Sequence, residues 1–102
     1  MRVTVTQEDW DKACAILVHG VPSNTSYNCC CVLAQALIRE GKAVPNETNV
    51  LGRRTYIGKK EYRHSKPAQG LVEAFDHRRN PEDSKHKKPK FPKTYILREA
   101  KL

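Results

Sequence analysis

The order of apolar and polar positions divides the chain into short strands and three helical stretches. Residues 1–6 alternate in the two-residue period of a strand, with Val3 and Val5 on one face. Thr6 has the chemistry of a helix N-cap, and Asp9, three positions on, completes a capping box in its Asp form. Val5 and Trp10 occupy the staple positions on either side of that cap. Glu8, Asp9 and Asp11 place acids where the helix dipole favours them. Trp10, Ala13, Cys14 and Leu17 then follow the helical repeat, which predicts a helix over 7–19 with one apolar stripe. Gly20 and Pro22 end it.

A polar connector over 23–28 leads to Asn28 or Ser26 as the cap of a second helix, predicted over 28–40. Its stripe is Cys30, Leu33, Ala34 and Leu37, and Gly41 supplies the stop. Residues 44–64 change character. Pro45, Asn46 and Gly52 are turn formers, 50–51 and 55–57 are β-prone, and Gly58 turns the chain again before Tyr62. Two or three short antiparallel strands are expected there.

Ser65 caps a third helix over 66–78, with Pro67 in its first turn, where the missing N–H costs nothing. Ala68, Leu71, Val72 and Phe75 form its stripe, and Gly70 weakens it by about 1 kcal/mol relative to Ala. Asn80 and Pro81 mark the exit. The stretch 81–93, rich in Pro and Lys, predicts an extended, flexible basic loop. Strand character resumes over 94–98, with Tyr95 and Leu97 facing one way. No internal repeat is present. The expectation is a single α+β domain over 1–102: a small antiparallel sheet of the N- and C-terminal strands and a middle hairpin, packed with three helices.

Length limits what this fold can bury. A chain of 102 residues removes only about 60–68% of its unfolded surface from water, so self-association into a homo-oligomer would add useful buried area. No run approaches the roughly 18 apolar residues of a membrane span, and the first residues lack the apolar run of a signal peptide. These features predict a cytoplasmic protein with no membrane partner.

Charge changes the picture most. Residues 1–51 carry four Lys/Arg and five Asp/Glu, whereas 52–102 carry fifteen and six, so a net of −1 is followed by a net of +9. A basic concentration of this kind attracts anions and speeds their encounter. Arg53, Arg54, Lys59, Lys60, Arg63 and Lys66 flank the middle strands, and Tyr56, Tyr62 and His64 are interleaved with them. Strand alternation places Arg54 with Tyr56, and Lys60 with Tyr62. Guanidinium groups match phosphate oxygens with paired donors, and aromatic faces stack on bases. His64 extends the cationic surface. Lys85, Lys87, Lys88, Lys90 and Lys93, with Phe91 as an apolar contact, form a second basic set that would either close over a phosphate-bearing ligand as a lid or serve as a disordered basic linker, the commoner fate of such composition. The competing reading is a solvated face whose lysines discourage edge pairing.

Cys14, Cys29, Cys30 and Cys31 invite a zinc reading. Thiolate ligands usually come as separated pairs, and consecutive residues on a helix point about 100° apart, so at most two of the run would reach one ion. The sequence therefore predicts small core thiols rather than a metal site, and no cofactor. The histidines show no ligand spacing, the glycines form no phosphate loop, and neither N-terminal helix is basic enough for a recognition helix. Nothing marks an enzyme.

The segments VTVTQED at 3–9, CVLAQAL at 31–37 and AQGLVEAFD at 68–76, with the final short strand, resemble a class of small phage-encoded proteins of unknown role. Those relatives often carry a proline where Val32 stands, and the Lys-rich stretch before Lys93 is unusual for them. The resemblance implies a compact α+β fold and a phage or prophage setting, and it identifies no active site. Small phage proteins without a catalytic motif often counter host defence, by sequestering an immune nucleotide signal or by blocking a protein effector. The expected function is non-enzymatic capture of a phosphate-bearing ligand, a nucleotide or a nucleic acid. The alternatives are inhibition of a host defence protein such as a nuclease, and zinc binding.

Overall fold

The computed structural model describes residues 1–19 and 31–100. Among them the chain forms β1 (Arg2–Val5), α1 (Gln7–His19), α2 (Val32–Arg39), β2 (Thr48–Val50), β3 (Arg54–Ile57), β4 (Lys60–His64), α3 (Lys66–Asp76) and β5 (Lys93–Glu99). The five strands make one antiparallel sheet in the order β1-β5-β4-β3-β2, so the fold is α+β, as the sequence pattern predicts. The first and last strands do pair, Val3 opposite Tyr95. The last strand is also interior, because its other edge pairs with β4, Leu97 opposite His64. The middle hairpin is a three-stranded meander. Gly58, at φ 60°, supplies the left-handed backbone at the β3–β4 turn, where a side chain would be strained.

Local chemistry starts the helices. The Thr6 amide donates to Asp9 Oδ2 at 2.9 Å and the Asp9 amide donates to Thr6 Oγ1 at 3.3 Å, the reciprocal pair of a capping box. Ser65 Oγ accepts from the Ala68 amide at 3.4 Å, with Pro67 in the first turn. The second helix differs from expectation. It begins at Val32 with Cys31 as its N-cap residue, four positions later than the pattern predicts. The predicted caps Ser26 and Asn28, the stop at Gly20 and Pro22, and Cys29 and Cys30 lie outside the described residues.

Apolar burial sets the layers. Val3, Val5, Tyr95 and Leu97 of the sheet are buried, and so are Ala68, Leu71, Val72 and Phe75 of α3. Burying a side chain the size of Phe75 contributes about 1.5–3 kcal/mol, and its ring meets Trp10 edge-on at 5.1 Å. Helix α2 has no polar face over its first six residues: Val32 to Leu37 are all buried, because α2 contacts α1, α3, β1 and β2 together.

One ion pair joins these layers. Asp9, 3% exposed, accepts from Arg39 Nε at 2.9 Å and Nη2 at 3.1 Å, and the same Nη2 donates to the Thr4 carbonyl at 2.7 Å. Burial alone would raise the Asp9 pKa. The Arg39 bonds and the Thr6 amide and hydroxyl outweigh it and hold the pKa below its usual value. Among the described residues no helix is long and apolar enough to cross a membrane.

Candidate anion-binding surfaces

Among the described residues α2 and α3 contact the strands and α1 packs against α2, on the side to which the buried strand residues point, and the strand alternation leaves the other face to solvent. On β3 the burial alternates so that Thr55 points into the core and Arg54 and Tyr56 point out. On β5, Tyr95 and Leu97 point in and Thr94, Ile96 and Arg98 point out. Arg54 is directly paired with Arg63, and Arg63 with Arg98. Three guanidinium-bearing residues thus stand in one row across β3, β4 and β5, about 9–10 Å from end to end at the usual strand spacing. Arg2 lies on the same face of β1, opposite Ile96, which is 46% exposed.

Directly opposed like charges destabilise a sheet, and one carboxylate on this face moderates them. Glu61 Oε1 accepts from Arg54 Nη1 at 2.9 Å and from Tyr56 Oη at 3.3 Å. Arg63 and Arg98 have no ion-pair partner among the described residues. Thr4 and Thr94 form a hydroxyl pair at 2.9 Å on the same face, at the far end of β5 from Arg98.

The residues singled out by sequence do not form one surface. Arg54, Tyr56 and Arg63 lie on the open face. Lys60 and Tyr62 lie on the helix-bearing face, where Lys60 reaches Glu99 at 4.0 Å and Tyr62 packs half-buried against the core. Arg53 and Lys59 are exposed in the connections flanking β3.

His64 corrects the expectation of a surface cation. It is buried, with Nε2 2.6 Å from Thr55 Oγ1 and Nδ1 3.1 Å from the Gly52 carbonyl. Burial lowers its pKa, which outweighs the opposing effect of the Gly52 bond. The neutral tautomer that donates from Nδ1 and accepts at Nε2 satisfies both neighbours.

The second basic set is docked on α1 and α3 rather than extended from the body. Phe91 is half-buried, its ring 5.9 Å from Trp10, and Lys88 Nζ lies 5.4 Å from the Trp10 ring. His86 Nε2 meets Glu73 at 3.2 Å. Lys85, Lys87 and Lys93 border a cavity beside the start of α3, whereas Lys90 is simply exposed. The apolar positions Phe91 and Trp10 account for the docking, since each covers surface the other would leave in water.

Four further residues become prominent only in the structure. Arg98 and Arg2 were legible in principle, since each alternates with residues expected to face inward. Arg39 reads as a scattered helix charge until β1 and α1 are brought beside it. Glu73 reads as solvated until the 81–93 segment folds back over α3. Among the described residues no three His, Cys, Asp or Glu side chains gather at one point. No family model, curated protein or solved structure matches the chain.

Proposed function

We propose that this chain is a non-enzymatic binding protein for nucleic acid, and that the open face of the sheet holds the phosphate backbone. The in-register row of Arg54, Arg63 and Arg98 carries the reading. A row of opposed cations is costly to the free protein, and a polyanion laid across it relieves the repulsion. Guanidinium groups supply paired donors to phosphate oxygens, and Tyr56 beside them supplies an aromatic edge. In the phage setting that the sequence resemblance implies, such a protein would withdraw a nucleic-acid or nucleotide signal from host defence.

Fluorescence anisotropy with labelled single- and double-stranded oligonucleotides, over a range of salt, tests this. Affinity is expected to fall linearly on a log–log plot against salt, as phosphate neutralisation releases counterions. The variant R54Q/R63Q/R98Q is expected to bind at least tenfold more weakly, with a salt slope shallower by about 2. Unchanged affinity in that variant, with its circular dichroism intact, overturns the proposal.

A second reading is docking onto a host protein with an acidic surface. Ile96 favours it, because an exposed aliphatic side chain among arginines and a tyrosine is the composition of a protein interface. Such docking would be sensitive to Ile96→Asp, whereas backbone phosphate binding would be weakened only modestly by that change.

A further inference from the structure

The helix-bearing side of the molecule holds a separate basic cavity that the nucleic-acid reading does not use. Its existence depends on Gly70. The His86 imidazole lies against α3 so closely that a Cβ on residue 70 would be 2.9 Å from Nδ1. His86 also pairs with Glu73, and these two contacts, together with Phe91 against Trp10, hold the 85–93 segment alongside the first turns of α3. Between segment and helix lies a cavity of about 470 Å³.

Four lysines border that space: Lys66 from the first turn of α3, Lys85 and Lys87 from the segment, and Lys93 from the start of β5. No carboxylate is among the lining residues, and none of the four lysines has an ion-pair partner among the described residues. The nearby Glu73 carboxylate is engaged by His86. The positive end of the α3 dipole opens toward the same space.

Tyr95 lines the cavity and is 1% exposed, and its phenolic oxygen is buried with no hydrogen-bond partner. Burial pushes its pKa up to about 12, so the group remains a proton donor without an acceptor. Lys93 Nζ lies 5.4 Å from the Tyr95 ring centroid.

This chemistry differs from that of the open sheet face. A flat row of arginines suits phosphodiesters, which carry one charge each along a strand. An open groove bordered by four lysines suits a compact ligand with more than one charge on a single group, because several ammonium ions can reach it at once. Leu71, Pro67 and Pro89 complete the lining with apolar surface. The volume lies within the usual range for small-ligand pockets and exceeds what a lone phosphate would fill. We propose that this cavity is a second binding site, which takes a phosphate monoester carried on a body the size of a nucleoside.

Isothermal titration calorimetry on the full chain, in a phosphate-free buffer of low ionic strength, tests the site with three probes: a nucleoside 5′-monophosphate, the unphosphorylated nucleoside and inorganic phosphate. The monophosphate is expected to bind saturably at one site per chain, inorganic phosphate more weakly, and the nucleoside without measurable heat. K66Q/K93Q is expected to weaken the monophosphate at least tenfold. K85Q/K87Q, on the exposed segment and harmless to the core, is expected to act in the same direction. R54Q/R63Q/R98Q is expected to leave this binding unchanged, which separates it from the sheet-face proposal. Absence of saturable heat with the monophosphate, equal binding of the bare nucleoside, or unchanged affinity in both lysine variants overturns the site.

Discussion

At the scale of single residues, His64 shows how burial reverses a side chain's role. Its place among Arg63, Ser65 and Lys66 suggests a surface cation, but residues 60, 62 and 64 alternate onto the helix-bearing face. The exposed Lys60 at the strand's start conceals that fact in the sequence. A pH dependence follows. The folded pKa lies below the usual value of 6.5, so the unfolded chain binds the proton more readily. The stability contributed by neutral His64 is fully present above the unfolded pKa. It declines as pH falls below about 6.5, by at most about 1.4 kcal/mol per pH unit, until the folded pKa is reached. Asp9, whose lowered pKa acts only at more acidic pH, does not interfere in this window. Urea unfolding between pH 7.5 and 5 is expected to show a falling midpoint that flattens in H64Q. An equal pH dependence in H64Q would remove His64 as the cause.

At the scale of elements, α3 shows why a weak helix former sits mid-helix. Composition alone makes Gly70 a defect of about 1 kcal/mol. The structure makes it the surface on which His86 lies. Replacement by Ala improves helix propensity but displaces the imidazole, and the exposed His86–Glu73 pair that would be lost is worth at most about 1 kcal/mol. The G70A variant is therefore expected to melt within a few degrees of the parent chain. Its 85–93 segment, no longer clasped, is expected to be cut faster by trypsin after Lys85, Lys87 and Lys90. Equal cleavage rates would show that His86 does not hold the segment. The periodicity of α3 was readable from Ala68, Leu71, Val72 and Phe75. The docking of the following segment was not, because its Pro and Lys content describes a chain that cannot build a core by itself. Phe91 needs only a pre-existing one.

At the scale of the whole molecule, like-charge repulsion and the proposed phosphate binding would pull against each other on the open sheet face. Arg63 is flanked on both sides by arginine, and opposed like charges cost about 0.2–1 kcal/mol each. R63Q is expected to raise the melting temperature at low salt while weakening oligonucleotide binding. The thermal gain should shrink at high salt, because exposed charges are screened beyond a Debye length of about 10 Å at 0.1 M. A gain that is independent of salt would mean that charge repulsion is not its source. The overall basic imbalance was plain in the sequence, as was the fold class, yet the expected single surface divides between two sides of the sheet.

The sequence by itself determined what is encoded within a few residues: the capping box of Thr6 and Asp9, the helical stripes, the strand periods, the turn at Gly58 and the concentration of cations after residue 52. These depend on neighbours one turn or one hairpin away. Only the tertiary structure decided which cations meet. Placing β5 between β1 and β4 pairs residues as distant as Arg2 and Ile96, and that register alone aligns Arg98 with Arg63. A strand's alternation says which residues share a face, but the packing of the helices fixes which face stays wet. Arg54 and Lys60 therefore end on opposite sides of one sheet, although only five residues lie between them.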